Sequence, residues 1–305
     1  MSGSKKYLKN KDRVRRSMLF LSAQRPKLLI GSEVYGADSL IFDLEDAVAE
    51  SEKDAARYCL YHFLKNLSFG NSEKVVRING LNTPHWQKDI FVSVASGADS
   101  IRIPMCESKD DVLKVQSVLE QAEQKYNREN EVLLMAAIET PLGVINSYDI
   151  ASSTDRLFGI ALSGGDLRNL LRVETTSTGV ELNYSRGHIV VSARAAKVQC
   201  FDTVYTNLKD DEGFKRELEL DFQMGFDGKS LIHPKQVKVV NDRYCPDYKK
   251  IQEAIELITA FKENEKAGNG VFTLNGKMVD KAFIPNAAFT LKMAKACGKY
   301  DGDLI

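Results

Sequence analysis

Two acidic side chains each stand at the end of an apolar run: Glu139 in Ala-Ala-Ile-Glu-Thr-Pro and Asp166 in Leu-Ser-Gly-Gly-Asp-Leu. A pair of carboxylates brought to one place suits a hard divalent cation such as Mg²⁺. That ion favours octahedral oxygen coordination and leaves positions open for water or substrate oxygens. The plainer alternative is that Glu139 caps a turn and Asp166 caps the next helix. Gly164 and Gly165 carry no side chain, so a substrate could approach the backbone N–H groups there. Asp43, Glu45 and Asp46 put three acids within four residues at the end of another apolar run. They read as acceptors that orient a water or an arginine more readily than as direct ligands. Arg77 lies inside an apolar run, where an unpaired cation is costly. It is either a clamp for a carboxylate or oxyanion, or the partner of Asp43 or Glu45 in an internal ion pair. Arg102 in Ile-Arg-Ile-Pro repeats the argument more weakly.

These residues need a frame. Eight short apolar runs, at 17–22, 39–44, 74–79, 100–105, 132–139, 157–164, 203–208 and 229–234, each end in polar residues and precede a helix-length stretch. Strands alternating with helices indicate parallel βα units, and eight such units close a barrel whose chemistry sits where the strands end. The expected class is therefore α/β, a (β/α)8 TIM barrel, with a C-terminal helical arm. The runs are continuously apolar, as for a sheet covered on both faces. Helix-start signals fall between them: Pro26, Ser51 with Asp54, Thr83-Pro84, and Ser108 with Asp111. Gly225 is placed to close the helix before the last strand. The barrel is expected over 1–240. Residues 241–305 read as an appended arm: a helix over 247–266, a short run 271–274, an Asn275-Gly276 turn and a helix over 281–297.

Composition narrows the classes. With 42 Lys+Arg against 42 Asp+Glu the formal charge is zero, which gives no electrostatic case for nucleic acid or an anionic membrane. The 43% hydrophobic content supports a large core. Five scattered cysteines without CxxC spacing read as thiols in a reducing compartment. The start, basic and polar with Lys5, Lys6, Lys9 and Lys11, has no apolar signal region, and a soluble cytoplasmic protein is expected. The four histidines show no metal spacing, and His233 reads as a turn residue. No P-loop, GxGxxG or Ser-His-Asp order is present.

The stretches Arg15-Arg16-Ser17-Met18-Leu19-Phe20, Phe42-Asp43-Leu44-Glu45-Asp46-Ala47-Val48, Val75-Val76-Arg77-Ile78-Asn79, Ile138-Glu139-Thr140-Pro141-Leu142-Gly143, Gly225-Phe226-Asp227-Gly228-Lys229-Ser230-Leu231 and Leu274-Asn275-Gly276-Lys277-Met278-Val279-Asp280 resemble the citrate lyase β-subunit family. That family is a branch of the HpcH/HpaI-type Mg²⁺-dependent aldolases, alongside malyl- and citramalyl-CoA lyases. The resemblance implies Mg²⁺ on Glu139 and Asp166. It implies substrate contacts from Arg77, Glu139, Phe20, Arg25, Gly165 and Asp43. Arg77 would also meet developing negative charge, and Asp280 would act as the acid that protonates an enolate in a neighbouring subunit's site. Without the resemblance Asp280 reads as a helix N-cap. Ser22-Ala23 stands where many relatives have Pro-Gly, and Gly165 where many have an acid.

The implied reaction is retro-Claisen cleavage of a 3-hydroxy-acyl thioester, citryl on an acyl carrier protein or CoA, to oxaloacetate and an acetyl thioester. Glu45, acting through water, is one candidate for the base. The implied partners are the acyl thioester, citrate lyase α and γ subunits, and further copies of the chain as a trimer or hexamer. Two rivals stand beside this reading: a stand-alone citramalyl- or malyl-CoA lyase, and a scaffold subunit without catalysis.

Overall fold

The computed structural model describes residues 11–303; of the basic start, Lys5, Lys6 and Lys9 lie outside the described residues. Eight parallel strands close a barrel in sequence order. They are β1 (Ser17–Ser22), β2 (Ser39–Asp43), β3 (Glu73–Arg77), β4 (Ser100–Ile103), β5 (Leu133–Ile138), β6 (Leu157–Leu162), β7 (Gln199–Asp202) and β8 (Gly228–Leu231). Because side chains alternate along a strand, the sheet feeds two cores. Met18, Ile41, Val75, Leu133, Met135, Phe158, Ala161 and Phe201 form one cluster, drawn from strands alone, and it fills the lumen. Residues of the other face, such as Ile101, Ile103, Leu134, Ala136, Ile138, Ile160 and Leu162, pack with helix residues such as Ile90, Val115 and Ile189. On β6, where the register with β5 shifts, Phe158 and Ala161 both join the lumen cluster although three residues apart.

Below the lumen an ion pair closes the barrel. Arg15, just ahead of β1, donates from Nε and Nη2 to Glu73 at 2.6 and 2.7 Å. Ser39 Oγ donates to the same carboxylate, and the Arg15 guanidinium lies 3.9 Å from the Phe158 ring centre. The lumen is therefore a packed core, with charged residues such as Asp43, Arg102 and Glu139 at its other end.

Local signals place several helices. Ser108 accepts from Asp111 N while Asp111 accepts from Ser108 N, a full capping box for α4 (Lys109–Lys125) in a series that begins with α1 (Pro26–Leu29), α2 (Lys53–Asn66) and α3 (Trp86–Ser96). Pro26 opens α1. The Ser51/Asp54 box is not formed; Asp54 pairs with Arg57 one turn on instead. Thr83 bonds within its own turn, to Gly80 O, and α3 starts later, at Trp86. The chain continues through α5 (Pro141–Ile145), α6 (Ser147–Ala151), α7 (Gly164–Leu171), α8 (Asn183–Ala196), α9 (Asp211–Met224) and α10 (Pro234–Tyr244). Gly225 closes α9 at φ 94, a left-handed conformation that glycine adopts without strain.

One strand lies elsewhere than expected. The seventh strand is 199–202, and 203–208, the run Thr-Val-Tyr-Thr-Asn-Leu, is loop. Its β-branched residues mimic a strand, but pairing decides: Phe201 and Asp202 register with Gly228 and Lys229. Thr203 is used to cap a neighbour, its Oγ1 accepting from Gly164 N at 2.7 Å. Of the other expected runs, 17–22 coincides with β1 and the rest overshoot the observed strands at their polar ends, where the residues leave the ladder for the barrel mouth.

The described residues divide into two compact units, one ending at Asn241 and the other beginning at Asp242. The second contains α11 (Tyr248–Lys266), the antiparallel hairpin β9 (Val271–Leu274) and β10 (Lys277–Asp280), and α12 (Ile284–Ala296). Ile251, Ala254, Ile258, Ala287, Leu291 and Ala294 give it a small core of its own. Among the described residues no helix is long and apolar enough to cross a membrane, and no cysteine is in a disulfide.

Candidate active site

Alternation carried past the ends of the strands selects the residues of the mouth. Ile41 faces the lumen, so Asp43 does; Val75 and Arg77 follow the same rule, as do Met18 with Phe20, Met135 with Glu139, and Ala161 with Ser163. The register Asp43↔Arg77↔Arg102 puts three charged residues at one level of the barrel.

Arg77 is fixed by Asp43 in a bidentate pair, Nε to Oδ1 at 2.8 Å and Nη2 to Oδ2 at 2.7 Å. Asp43 also accepts from Glu45 N and Ala47 N, so the turn after β2 wraps around it. Burial works to raise the Asp43 pKa, but the hydrogen bonds and charge of Arg77 outweigh it and hold the carboxyl below its ordinary value. The same partners push the Arg77 guanidinium up against the pull of burial. Its remaining nitrogen, Nη1, stands 2.9 Å from Glu45 and 3.2 Å from Asp46. Glu45 lies beyond the end of β2, not on it. Its Oε2 has no aligned hydrogen-bond partner. Burial, then the acids Asp46, Glu139 and Asp43, push it up to about 8 although Arg77 opposes them.

Glu139 follows β5 and is 2% exposed, with Oε1 left without a hydrogen-bond partner. Burial raises its pKa; Arg102, a Ser163 hydrogen bond and Arg77 counter this, and Asp166 adds to it. Asp166 is exposed in the first turn of α7. Neither acid is the cap: Thr140 caps α5 through Gly143 N, and Ser163 stands at the cap position of α7 without a side-chain cap bond. A buried carboxylate with an unused oxygen, within the field of a second carboxylate, is a donor set that suits Mg²⁺.

Gly164 and Gly165 separate in role. A Cβ at Gly164 would meet Leu182 at 2.8 Å and Thr203 at 3.1 Å, so this glycine serves close packing and its N–H is taken. A Cβ at Gly165 would meet nothing, so its backbone is open. Phe20 is partly buried, and the guanidiniums of Arg77 and Arg102 lie 5.0 and 5.1 Å from its ring centre. Arg25 is exposed just after β1. Asp280 belongs to the second unit, where its carboxylate accepts from Ala282 N at 2.8 Å as a cap. His233, exposed, accepts from Lys235 N in a turn. Ser163 and Ser230, which bond Arg102, escaped the sequence reading. Alternation carried from Ala161 within the run 157–164 would have found Ser163.

A second acidic group, Asp202, Glu217 and Asp221, has oxygens close enough for one ion. Those oxygens already receive Lys229 Nζ at 2.7 to 3.0 Å and Arg186, so the cluster is an internal ion network. Asp221 is pushed well up by burial and by the charge of Asp202; Asp202, despite burial, is held low by Lys229 and Arg186.

A model for carbon–carbon bond lyases of the TIM-barrel fold matches residues 179–298, which sets the class of enzyme. The model for HpcH/HpaI aldolase/citrate lyase matches residues 16–234, and the chain belongs to that family. It is 44% identical over 288 residues to the citrate lyase subunit beta of Leuconostoc mesenteroides subsp. cremoris, covering 94% of this chain and 95% of the relative. It is 35% identical over 285 residues to a (3S)-malyl-CoA thioesterase of Cereibacter sphaeroides, covering 93% and 96%. Among solved structures, the protein CitE from Mycobacterium tuberculosis, in complex with magnesium, acetoacetate and coenzyme A, superposes with a TM-score of 0.74 at 26% identity, covering 93% of this chain and 99% of that one.

Proposed function

We propose that this chain is a Mg²⁺-dependent lyase that cleaves a citryl thioester, on an acyl carrier protein or CoA, to oxaloacetate and an acetyl thioester. The observation that carries the reading is the buried Glu139 with its unused oxygen, in the field of Asp166 and of an arginine held rigid by Asp43. The relatives named citrate lyase subunit beta support the substrate class, and the magnesium- and coenzyme A-bound CitE supports the metal and the thioester.

Glu139 and Asp166 would hold the ion, which when bound lowers the pKa of the substrate hydroxyl and neutralises the adjacent carboxylate. Glu45, in its carboxylate form and acting through water, accepts the hydroxyl proton. The bond between the carbinol carbon and the thioester's α-carbon then breaks, its electron pair passing to the thioester as an enolate. Arg77, kept rigid by Asp43, faces that charge. Phe20 and Arg25 border the substrate, and the open backbone at Gly165 admits it. Asp280 returns a proton to the enolate carbon, from a neighbouring copy's arm. This requires a homo-oligomer, a trimer or hexamer, and the same reading places the chain in the cytoplasm with citrate lyase α and γ subunits.

A stand-alone malyl- or citramalyl-CoA lyase is the second reading, favoured by the malyl-CoA thioesterase relative. The test is cleavage of citryl-, citramalyl- and malyl-CoA by purified protein with Mg²⁺ and with EDTA. Mg²⁺-dependent release of oxaloacetate from citryl-CoA is expected. Preference for citramalyl-CoA would move the assignment to the second reading, and inertness toward all three would favour a scaffold.

A further inference from the structure

Arg102 is the strongest feature of the barrel mouth that the proposed mechanism leaves unused. It leaves β4 toward the lumen and crosses it. One Nη donates to Ser163 Oγ beyond β6 at 2.9 Å, the other approaches Ser230 Oγ on β8 at 3.4 Å, and the group lies beside the Phe20 ring from β1. The side chain is 2% exposed and its Nε has no partner. Arg77, at the same level on β3, has every nitrogen matched to Asp43, Glu45 or Asp46. A buried guanidinium with a free donor costs stability. An incoming anion would satisfy it.

The candidate substrates differ in one group. Citryl thioester carries two free carboxylates, one on the carbinol carbon beside the hydroxyl and one at the end of a methylene arm. Citramalyl thioester has a methyl in place of that arm, and malyl has hydrogen. The carboxylate and hydroxyl on the carbinol carbon are accounted for by the metal site. The distal carboxylate needs a cation of its own, and Arg77 faces the thioester end.

We propose that Arg102 receives the distal carboxylate of the citryl group and so selects citryl over citramalyl and malyl thioesters. This rests on the lyase reading and deepens it. With a methyl or hydrogen in that place, the buried Nε stays unpaired, and a site built to bond a polar group rejects analogues lacking it far more strongly than an apolar pocket rejects a methyl. Arg102 takes no part in proton transfer. It acts on affinity and orientation.

The product keto acids carry the same difference, since oxaloacetate is pyruvate with one more carboxylate. Wild-type and Arg102→Met proteins are compared for kcat/KM on citryl-, citramalyl- and malyl-CoA. Binding of oxaloacetate and pyruvate is measured by thermal shift at saturating Mg²⁺, which needs no turnover. Arg102→Gln keeps polar contacts with Ser163 and Ser230 without the charge, and stands in if the methionine variant misfolds; Arg102→Lys keeps the charge. Expected is a loss of roughly 10²-fold or more on citryl-CoA with citramalyl-CoA changed by less than about tenfold. The oxaloacetate preference should vanish in the Met and Gln variants and return in part with Lys. An equal loss on all substrates, or an oxaloacetate preference that survives loss of the charge, overturns the assignment. Wild-type protein inert toward every thioester and keto acid would sink the lyase reading, and Arg102 with it.

Discussion

Glu45 and Glu139 lie in the same low-dielectric mouth, and burial raises both. In metal-free protein the fold therefore keeps protons that the unfolded chain, near its ordinary value of 4.5, gives up. The stability this contributes is fully present below about 4.5 and is lost as pH rises through about 8. Asp43 runs the opposite way, but its depressed value acts only at lower pH. The melting temperature in EDTA should thus fall between about pH 5 and 8, and Glu45→Gln should flatten part of that slope. A wild-type melting temperature that climbs over this window would contradict it. Mg²⁺ should raise the melting temperature by binding the folded form. Asp166→Asn should abolish that rise and most turnover while far-UV circular dichroism stays unchanged. Retained Mg²⁺ stabilisation in the variant would remove Asp166 from the ligand set.

Between strands and helices the buried network of Arg186, Asp202, Glu217, Asp221 and Lys229 ties β7 and β8 to α8 and α9. Arg186 Nη1 also donates to Gly179 O, which anchors the loop entering α8. Such a network is not a source of net stability, since desolvation opposes the Coulomb attraction. Removing one member is a different matter. Lys229→Met would leave three carboxylates facing Arg186 alone, and urea unfolding should show a loss of about 3–5 kcal/mol. A change below about 1 kcal/mol would mean that the acids reprotonate or rearrange at little cost.

At the scale of the whole molecule, the barrel unit carries Arg77, Glu139 and Asp166, and the second unit carries Asp280. If Asp280 serves a neighbouring copy's mouth, two defective chains can complement one another. Asp280→Asn alone should lower the rate by roughly 10²-fold or more, the scale of a lost general acid, with Mg²⁺ stabilisation kept. Mixing it with an Arg77→Met variant under subunit exchange should restore part of the activity, read against each variant alone. No recovery, with exchange verified by labelled subunits, would exclude sharing.

Seven of the eight strands and the order of the barrel were legible because an apolar run covered on both faces leaves an unmistakable pattern. Glu139, Asp166 and Arg77 stood out because charge at the end of such a run is expensive unless it has work or a partner. The seventh strand did not, since the β-branched loop 203–208 looks like a strand until the ladder partner is known. The sequence offered Arg77 both Asp43 and Glu45 as partners, but not which of them would hold it bidentately; nor did it show the packing duty of Gly164, or the reach of Arg102 across the lumen to Ser163 and Ser230. Each depends on which strands curve to meet, and closure of a barrel brings together residues that local sequence treats as strangers.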